Sequence, residues 1–136
     1  MSAPDHQTFS YYGQFISEAG LRAVMRALEP CSWRIELRQS GYDGTNYLTT
    51  PSDQDIDLDM DSGQSGCFLF GGGFEGSKER ALKLLKDFSQ CLSAGNFTHR
   101  IEVYDESDNE IARFHHQWPE GLTDIEFLRQ PSDSNR

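Results

Sequence analysis

Asp55, Asp57, Asp59 and Asp61 recur at every second position, with Ile56, Leu58 and Met60 between them. Alternation of that period sends one set of side chains to one face of a strand and the other set to the opposite face. The stretch reads as a half-buried strand with an apolar floor and a row of carboxylates outside. Asp is a poor strand former, and like charges two positions apart on one face repel. A surface selected for folding alone would seldom carry so many, so the row suggests a binding surface more than a reaction.

Calcium is the first ligand to test. An EF-hand loop places oxygen ligands at loop positions 1, 3 and 5, Gly at 6 and Glu at 12. Counted from Asp57, Ser62 stands sixth and Phe68 twelfth, so the match fails. Same-face carboxylates on a strand also lie about 6.5–7 Å apart, too far for several to chelate one ion without a bend. A basic protein partner suits the row better. The plain alternative is a solvated acidic edge that discourages sheet-to-sheet pairing. A second cluster, Asp105, Glu106 and Asp108, falls in a turn between two strand patterns. If the fold brings it beside the Asp row, the two form one negative patch able to steer a basic partner.

Other chemistry finds little support. GGGFEG before a helix invites a phosphate reading, but the spacing is neither G-x-G-x-x-G nor a P-loop, and Glu75 would repel the anion. A strand-to-helix turn with unusual backbone angles explains it better. His115 and His116 are adjacent on a strand pattern and point to opposite faces, one partly buried and one outward. They cannot easily share a metal, and His99, a conceivable cross-strand neighbour, has no cysteine spacing to complete a zinc site. No G-x-S-x-G, H-E-x-x-H or Cys-His-Asn signature is present. The reading is a non-catalytic chain with no cofactor and no catalytic residue.

At 136 residues the chain fits one domain with a real core. Nine Phe, five Tyr and two Trp supply that core, which argues against disorder despite a net charge of −10. Such acidity disfavours nucleic acid as a direct partner, because phosphates would be repelled. Cys31, Cys67 and Cys91 are widely spaced and odd in number, and read as reduced thiols in a reducing compartment. The first residues lack the basic and apolar regions of a signal peptide, and no apolar run is long enough for a membrane span. The expected location is cytoplasmic.

These residues must be positioned by an ordered set of elements. Phe9, Tyr11 and Phe15 predict a strand over 8–16, with Gly13 marking a bulge. Leu21, Val24, Met25 and Leu28 predict a helix that starts at Ser17–Glu18 and stops at Glu29–Pro30. Trp33, Ile35 and Leu37 predict a strand, followed by a loop over 40–52 that carries Tyr42 and Tyr47. The acidic strand then turns through 62–66 into a buried strand over 67–70, as a hairpin. Ser77 caps a helix striped by Ala81, Leu84, Leu85, Phe88, Cys91 and Leu92, with Gly95 as its stop. Strands over 99–104 and 111–118 flank the second acidic turn, and 122–128 reads as a short helix or strand. The expected architecture is α+β: an antiparallel sheet of about six strands, both helices on one face, arranged as a possible tandem β-α-β-β repeat. Residues 1–7 read as a flexible terminus, 8–129 as a single domain and 130–136 as a disordered tail.

The size, the acidity, the missing catalytic motif and the stretch RIEVYDESDNEIARFHHQWP resemble the small cytoplasmic immunity proteins of bacterial toxin systems. The likeness spans roughly the second half of the chain. It implies a protein that neutralises a cognate toxin by occluding its active site or substrate groove. Carboxylates would meet toxin Lys and Arg, with Tyr and Trp as anchors. Nuclease toxins are basic where they hold phosphate, so an acidic inhibitor is physically sensible. Two other classes stay open: a regulatory or small-molecule-binding module with its ligand between sheet and helices, and a small enzyme using His115 or His116 with an Asp. An exposed sheet face would serve a homodimer equally well.

Overall fold

The computed structural model describes residues 7–42, 44–52, 54–61 and 67–118. Within them the chain is α+β, with β1 (Gln7–Ile16), α1 (Leu21–Ala27), β2 (Glu36–Gln39), β3 (Asn46–Thr49), β4 (Asp59–Asp61), β5 (Cys67–Gly76), α2 (Lys78–Ala94), β6 (His99–Tyr104) and β7 (Glu110–His116). An antiparallel five-stranded sheet runs in the order β4-β5-β1-β6-β7, and β2 and β3 form a separate hairpin sheet. The sheet was expected to have about six strands in one layer. Segment 46–49, expected as loop, instead pairs with β2 and draws it out of the main sheet. The expected repeat closes its first unit on the acidic strand; instead β3 is added, β4 stands between β1-α1-β2-β3 and β5-α2-β6-β7, and the β2–β3 hairpin does not join the sheet that β6–β7 extends. Gln7, expected in the flexible terminus, opens β1. The rest of that terminus, the turn at 62–66, the element at 122–128 and the tail at 130–136 lie outside the described residues.

The core follows from parity. Phe9, Tyr11 and Phe15 of β1 face the helix side with Phe70 and Phe74 of β5 and Ile101 and Val103 of β6, all buried. Helix α2 lays Ala81, Leu84, Leu85, Phe88 and Leu92 on that surface. Each fully buried Leu or Phe side chain contributes on the order of 2 kcal/mol by transfer from water. Phe88 meets Phe70 at 5.4 Å between ring centroids and stacks on Trp33 at 5.2 Å. The Trp33 indole N–H also donates to the Leu84 carbonyl at 2.9 Å, so one aromatic chain joins sheet, helix and the irregular segment before β2. The helix begins as its sequence predicts, with the Ser77 hydroxyl accepting from the Arg80 N–H at 3.1 Å. Gly95 caps its end, although the positive φ of 61° falls on Asn96. The first helix starts later than Ser17, because Ser17 and Gly20 close a tight turn before Leu21.

Two glycine readings change. Pairing runs unbroken through Gly13, so no bulge forms there, and the Phe70 ring lies where a Gly13 side chain would stand. Gly71, Gly72 and Gly73 are interior residues of β5, not a turn; the turn into α2 falls on Gly76, at φ 148°. Gly72 answers a close approach. The Asp57 carbonyl crosses directly over it, 2.0 Å from where a Cβ would stand, and accepts from the Tyr11 hydroxyl at 2.5 Å. Backbone cannot yield there as a flexible side chain would. Gly72→Ala is expected to destabilise the protein by about 2–3 kcal/mol, read as a lowered urea midpoint; an unchanged midpoint would contradict this packing.

Candidate functional site

The acidic stretch keeps its alternation. Ile56 and Leu58 are buried, and Asp55, Asp57 and Asp59 are exposed. One antiparallel register holds from Ile56 opposite Phe74 to Asp61 opposite Leu69. Paired residues share a face of the sheet, so the odd positions belong to the face turned away from α2. The register then composes a single transverse row across all five strands: Asp59, Gly71, Tyr12, Glu102 and Arg113. Gly73, Ser10, Tyr104 and Glu110 form the adjacent row. Tyr12 stands out of this face 55% exposed, beside two glycines that add no side chains to hem it in.

Two shallow hollows flank the Tyr12 ring. One, over β4 and β5, is bordered by Asp59, Leu69 and Gly71. The other is bordered by Glu102, Tyr104 and Asp108. Tyr12 and Tyr104 meet edge-to-face with centroids 5.8 Å apart, a favoured aromatic geometry. The Tyr104 hydroxyl donates to Glu102 at 2.5 Å, and Glu102 is nearly buried between the guanidinium groups of Arg100 and Arg113. Arg113 also pairs with Glu110 at 2.9 Å, so among the described residues Glu102 and Glu110 both face guanidinium groups at the β7 end of the face.

The seven carboxylates singled out by sequence do not share one role. Asp55 pairs with Arg80 at 2.8 Å, while that guanidinium lies over the Phe74 ring. Both members of the pair are more than half exposed, so it adds little stability. Asp57 accepts from the Gly73 N–H at 2.9 Å through its carboxylate and donates its own N–H to the Gly73 carbonyl, which ties it to β5. Asp105 accepts from the Ser107 and Asn109 N–H groups, and the Asn109 bond is the main cause that holds its carboxyl below the usual range. Glu106 and Asp105 border a different hollow, with Lys78 and Phe9. Asp59 and Asp108 are paired with no cation among the described residues, and they lie on either side of Tyr12. Asp61 holds the next same-parity position of β4, opposite Leu69. Arg80 offsets the charge of Asp55, while Asp57 and Asp105 keep their charge and commit part of their oxygens to backbone N–H groups. The exposed aromatic that the sequence did not single out is Tyr12; its signal is a large aromatic at the outward parity of β1.

The histidines divide as their spacing predicts, His115 exposed and His116 half-buried. His99 is the cross-strand partner of His116, with rings 6.1 Å apart. It is buried, its Nδ1 lying 2.8 Å from the Phe97 carbonyl and its Nε2 2.6 Å from the Ser89 hydroxyl. A carbonyl only accepts, so Nδ1 carries the proton and Nε2 accepts from Ser89. A hydroxyl donating to an imidazole has the outline of a nucleophile and its base, but both residues are sealed between α2 and β6. Burial is the main cause that pushes the His99 pKa down to about 4, and burial likewise pushes the Cys31 thiol up to about 12. Among the described residues no three His, Cys, Asp or Glu side chains gather as a metal site, and no helix is long and apolar enough to cross a membrane.

No protein-family model matches this chain, and no curated protein matches it in sequence.

The buried His99 makes stability depend on pH. Its folded pKa lies below the unfolded value near 6.5, so the unfolded state binds the proton first and stability falls as pH drops from about 6.5 toward 4. Over that window the loss is expected to reach roughly 3 kcal/mol. Urea unfolding at pH 7 and pH 4.5 should show a steeper loss for the natural protein than for His99→Gln; equal slopes would remove His99 as the cause.

Proposed function

We propose that this chain is a non-catalytic binding protein that takes a basic protein partner on the open face of its sheet, in the manner of an immunity protein that neutralises a toxin. The observation that carries the reading is the row across the five strands, with exposed Tyr12 at its centre and the uncompensated carboxylates Asp59 and Asp108 on either side. Binding energy concentrates in aromatic anchors ringed by polar groups, and carboxylates at the rim raise association rates with cationic partners. A net charge of −10 extends that attraction over the whole molecule. A toxin whose active site is basic because it holds phosphate is the partner this surface would suit.

The enzyme alternative has less support, since the most suggestive pair, Ser89 and His99, is buried. The small-molecule alternative needs room between sheet and helix, and Phe15, Phe70 and Phe88 occupy that layer in mutual contact.

Capture from a native lysate with stepwise salt elution tests the proposal. A basic protein should elute as salt rises and should bind Tyr12→Ala at least about 30-fold more weakly. Asp59→Asn should slow association several-fold, with a weaker salt dependence. Asp57→Asn, whose remaining amide oxygen can still accept from Gly73, should leave affinity unchanged. Equal affinity for Tyr12→Ala and the natural protein would remove the open face from the site.

A further inference from the structure

We propose that the hollow bordered by Tyr12, Glu102, Tyr104 and Asp108 seats one guanidinium group, the side chain of an arginine on the partner. The inference rests on the reading of the open face as a protein-binding surface and names the group that this surface selects.

Four observations converge on a planar cation. The Tyr12 ring borders the hollow more than half exposed, with Tyr104 edge-to-face against it, so aromatic surface is open to a ligand there. Such a face carries the negative end of the ring quadrupole and attracts cations, Arg more often than Lys. The Tyr104 hydroxyl is committed to Glu102, so the ring is held in place. Glu102 is itself balanced by Arg100 and Arg113, so it shapes the wall without adding free charge. That leaves Asp108 as the carboxylate able to complete a charge-assisted pair, and a carboxylate can take a guanidinium through two parallel hydrogen bonds.

Asp108 is also held ready. It sits at φ 63°, with its N–H donated to the Asp105 carbonyl at 3.0 Å. The Asp105 carboxylate accepts from Ser107 and Asn109 on either side of it. Asp105 is therefore a positioning residue: its carboxylate is used within the turn and sets where the Asp108 carboxylate stands. A nucleobase would also stack on Tyr12, but its phosphates would meet Asp108 and the net negative charge.

The hollow on the other side of Tyr12 holds Asp59. Asp59 and Glu102 stand three strands apart in one row, about 14 Å at ordinary strand spacing. A partner with a second cation at that distance from the seated arginine would straddle the Tyr12 ring.

The test is a backbone amide NMR titration of the full chain at low ionic strength. Its probes are N-acetyl-arginine methylamide, N-acetyl-lysine methylamide and adenosine monophosphate. The arginine amide should give saturable shifts centred on Tyr12, Tyr104 and Asp108, with weaker binding of the lysine amide and none of the nucleotide at these residues. Tyr12→Phe should keep the affinity, while Tyr12→Leu and Asp108→Asn should each weaken it about three- to fivefold. Asp105→Ala should weaken it through the turn, with the shifts at Asp108 reduced most. Shifts spread evenly over all acidic residues, equal binding of the lysine amide, or preferred binding of the nucleotide would each overturn the arginine seat. The two proposals fail separately. If the arginine amide seats as described and no salt-labile basic partner exists, the inhibitor reading falls and the seat stands. If such a partner binds Tyr12→Ala more weakly but Asp108→Asn with unchanged affinity, and the arginine amide gives no saturable shifts, the seat falls and the inhibitor reading stands.

Discussion

The passage of the Asp57 carbonyl over Gly72 is the constraint on which the open face depends. Any side chain at Gly72 would meet that carbonyl. With glycine there, the carbonyl reaches the Tyr11 hydroxyl, and the carboxylate and N–H of Asp57 close on Gly73. These contacts tie a short edge segment to β5 and β1 from both sides. A strand of three residues holds few ladder bonds of its own, so the register of β4 rests on this anchorage. In a strand, a slip of one residue would turn every side chain to the opposite face. Asp59 would then leave the row that contains Tyr12, and Ile56 and Leu58 would leave the core.

The same anchorage separates two kinds of carboxylate that look alike in sequence. Asp55, Asp57 and Asp105 are used by the fold, through Arg80, Gly73 and the β6–β7 turn. Asp59 and Asp108 are left over at the sides of an exposed tyrosine. Charge on a strand surface costs stability when it repels and gains little from exposed pairing. Under the proposed function, that cost at Asp59 and Asp108 would be returned when a cationic partner binds.

Much of this is legible in the sequence. Alternation at 55–61 and 99–104, and the apolar stripe behind Ser77, are local patterns set by one element's own neighbours; β6 and α2 are observed, and the acidic stretch keeps its alternation although only Asp59–Asp61 is strand, with a lone bridge at Ile56. The opposite parities of His115 and His116 follow from the same rule. What could not be read is pairing beyond the neighbours β4–β5 and β6–β7. Nothing local says that Asn46–Thr49 takes β2 into a separate hairpin, or that Gly71–Gly73 are strand residues lying beside β1. The triple glycine suggests a turn because glycine lowers strand propensity; only the carbonyl of a distant Asp explains Gly72. Tyr12 escaped for a similar reason. In β1 it stands next to buried Tyr11, and only the alignment of four neighbouring strands makes it the centre of a row. Tyr42, even more exposed, stands between β2 and β3, which form a sheet of two strands only among the described residues.

The central claim is that the partner sits on the open sheet face across β4, β5, β1 and β6. Cross-saturation NMR on the complex with the salt-eluted partner tests it most directly. Irradiation of the partner should attenuate the amides of Asp59, Gly71, Tyr12, Tyr104 and Asp108 and spare the β2–β3 hairpin. Attenuation centred on Tyr42 and that hairpin, with the open face untouched, would contradict it.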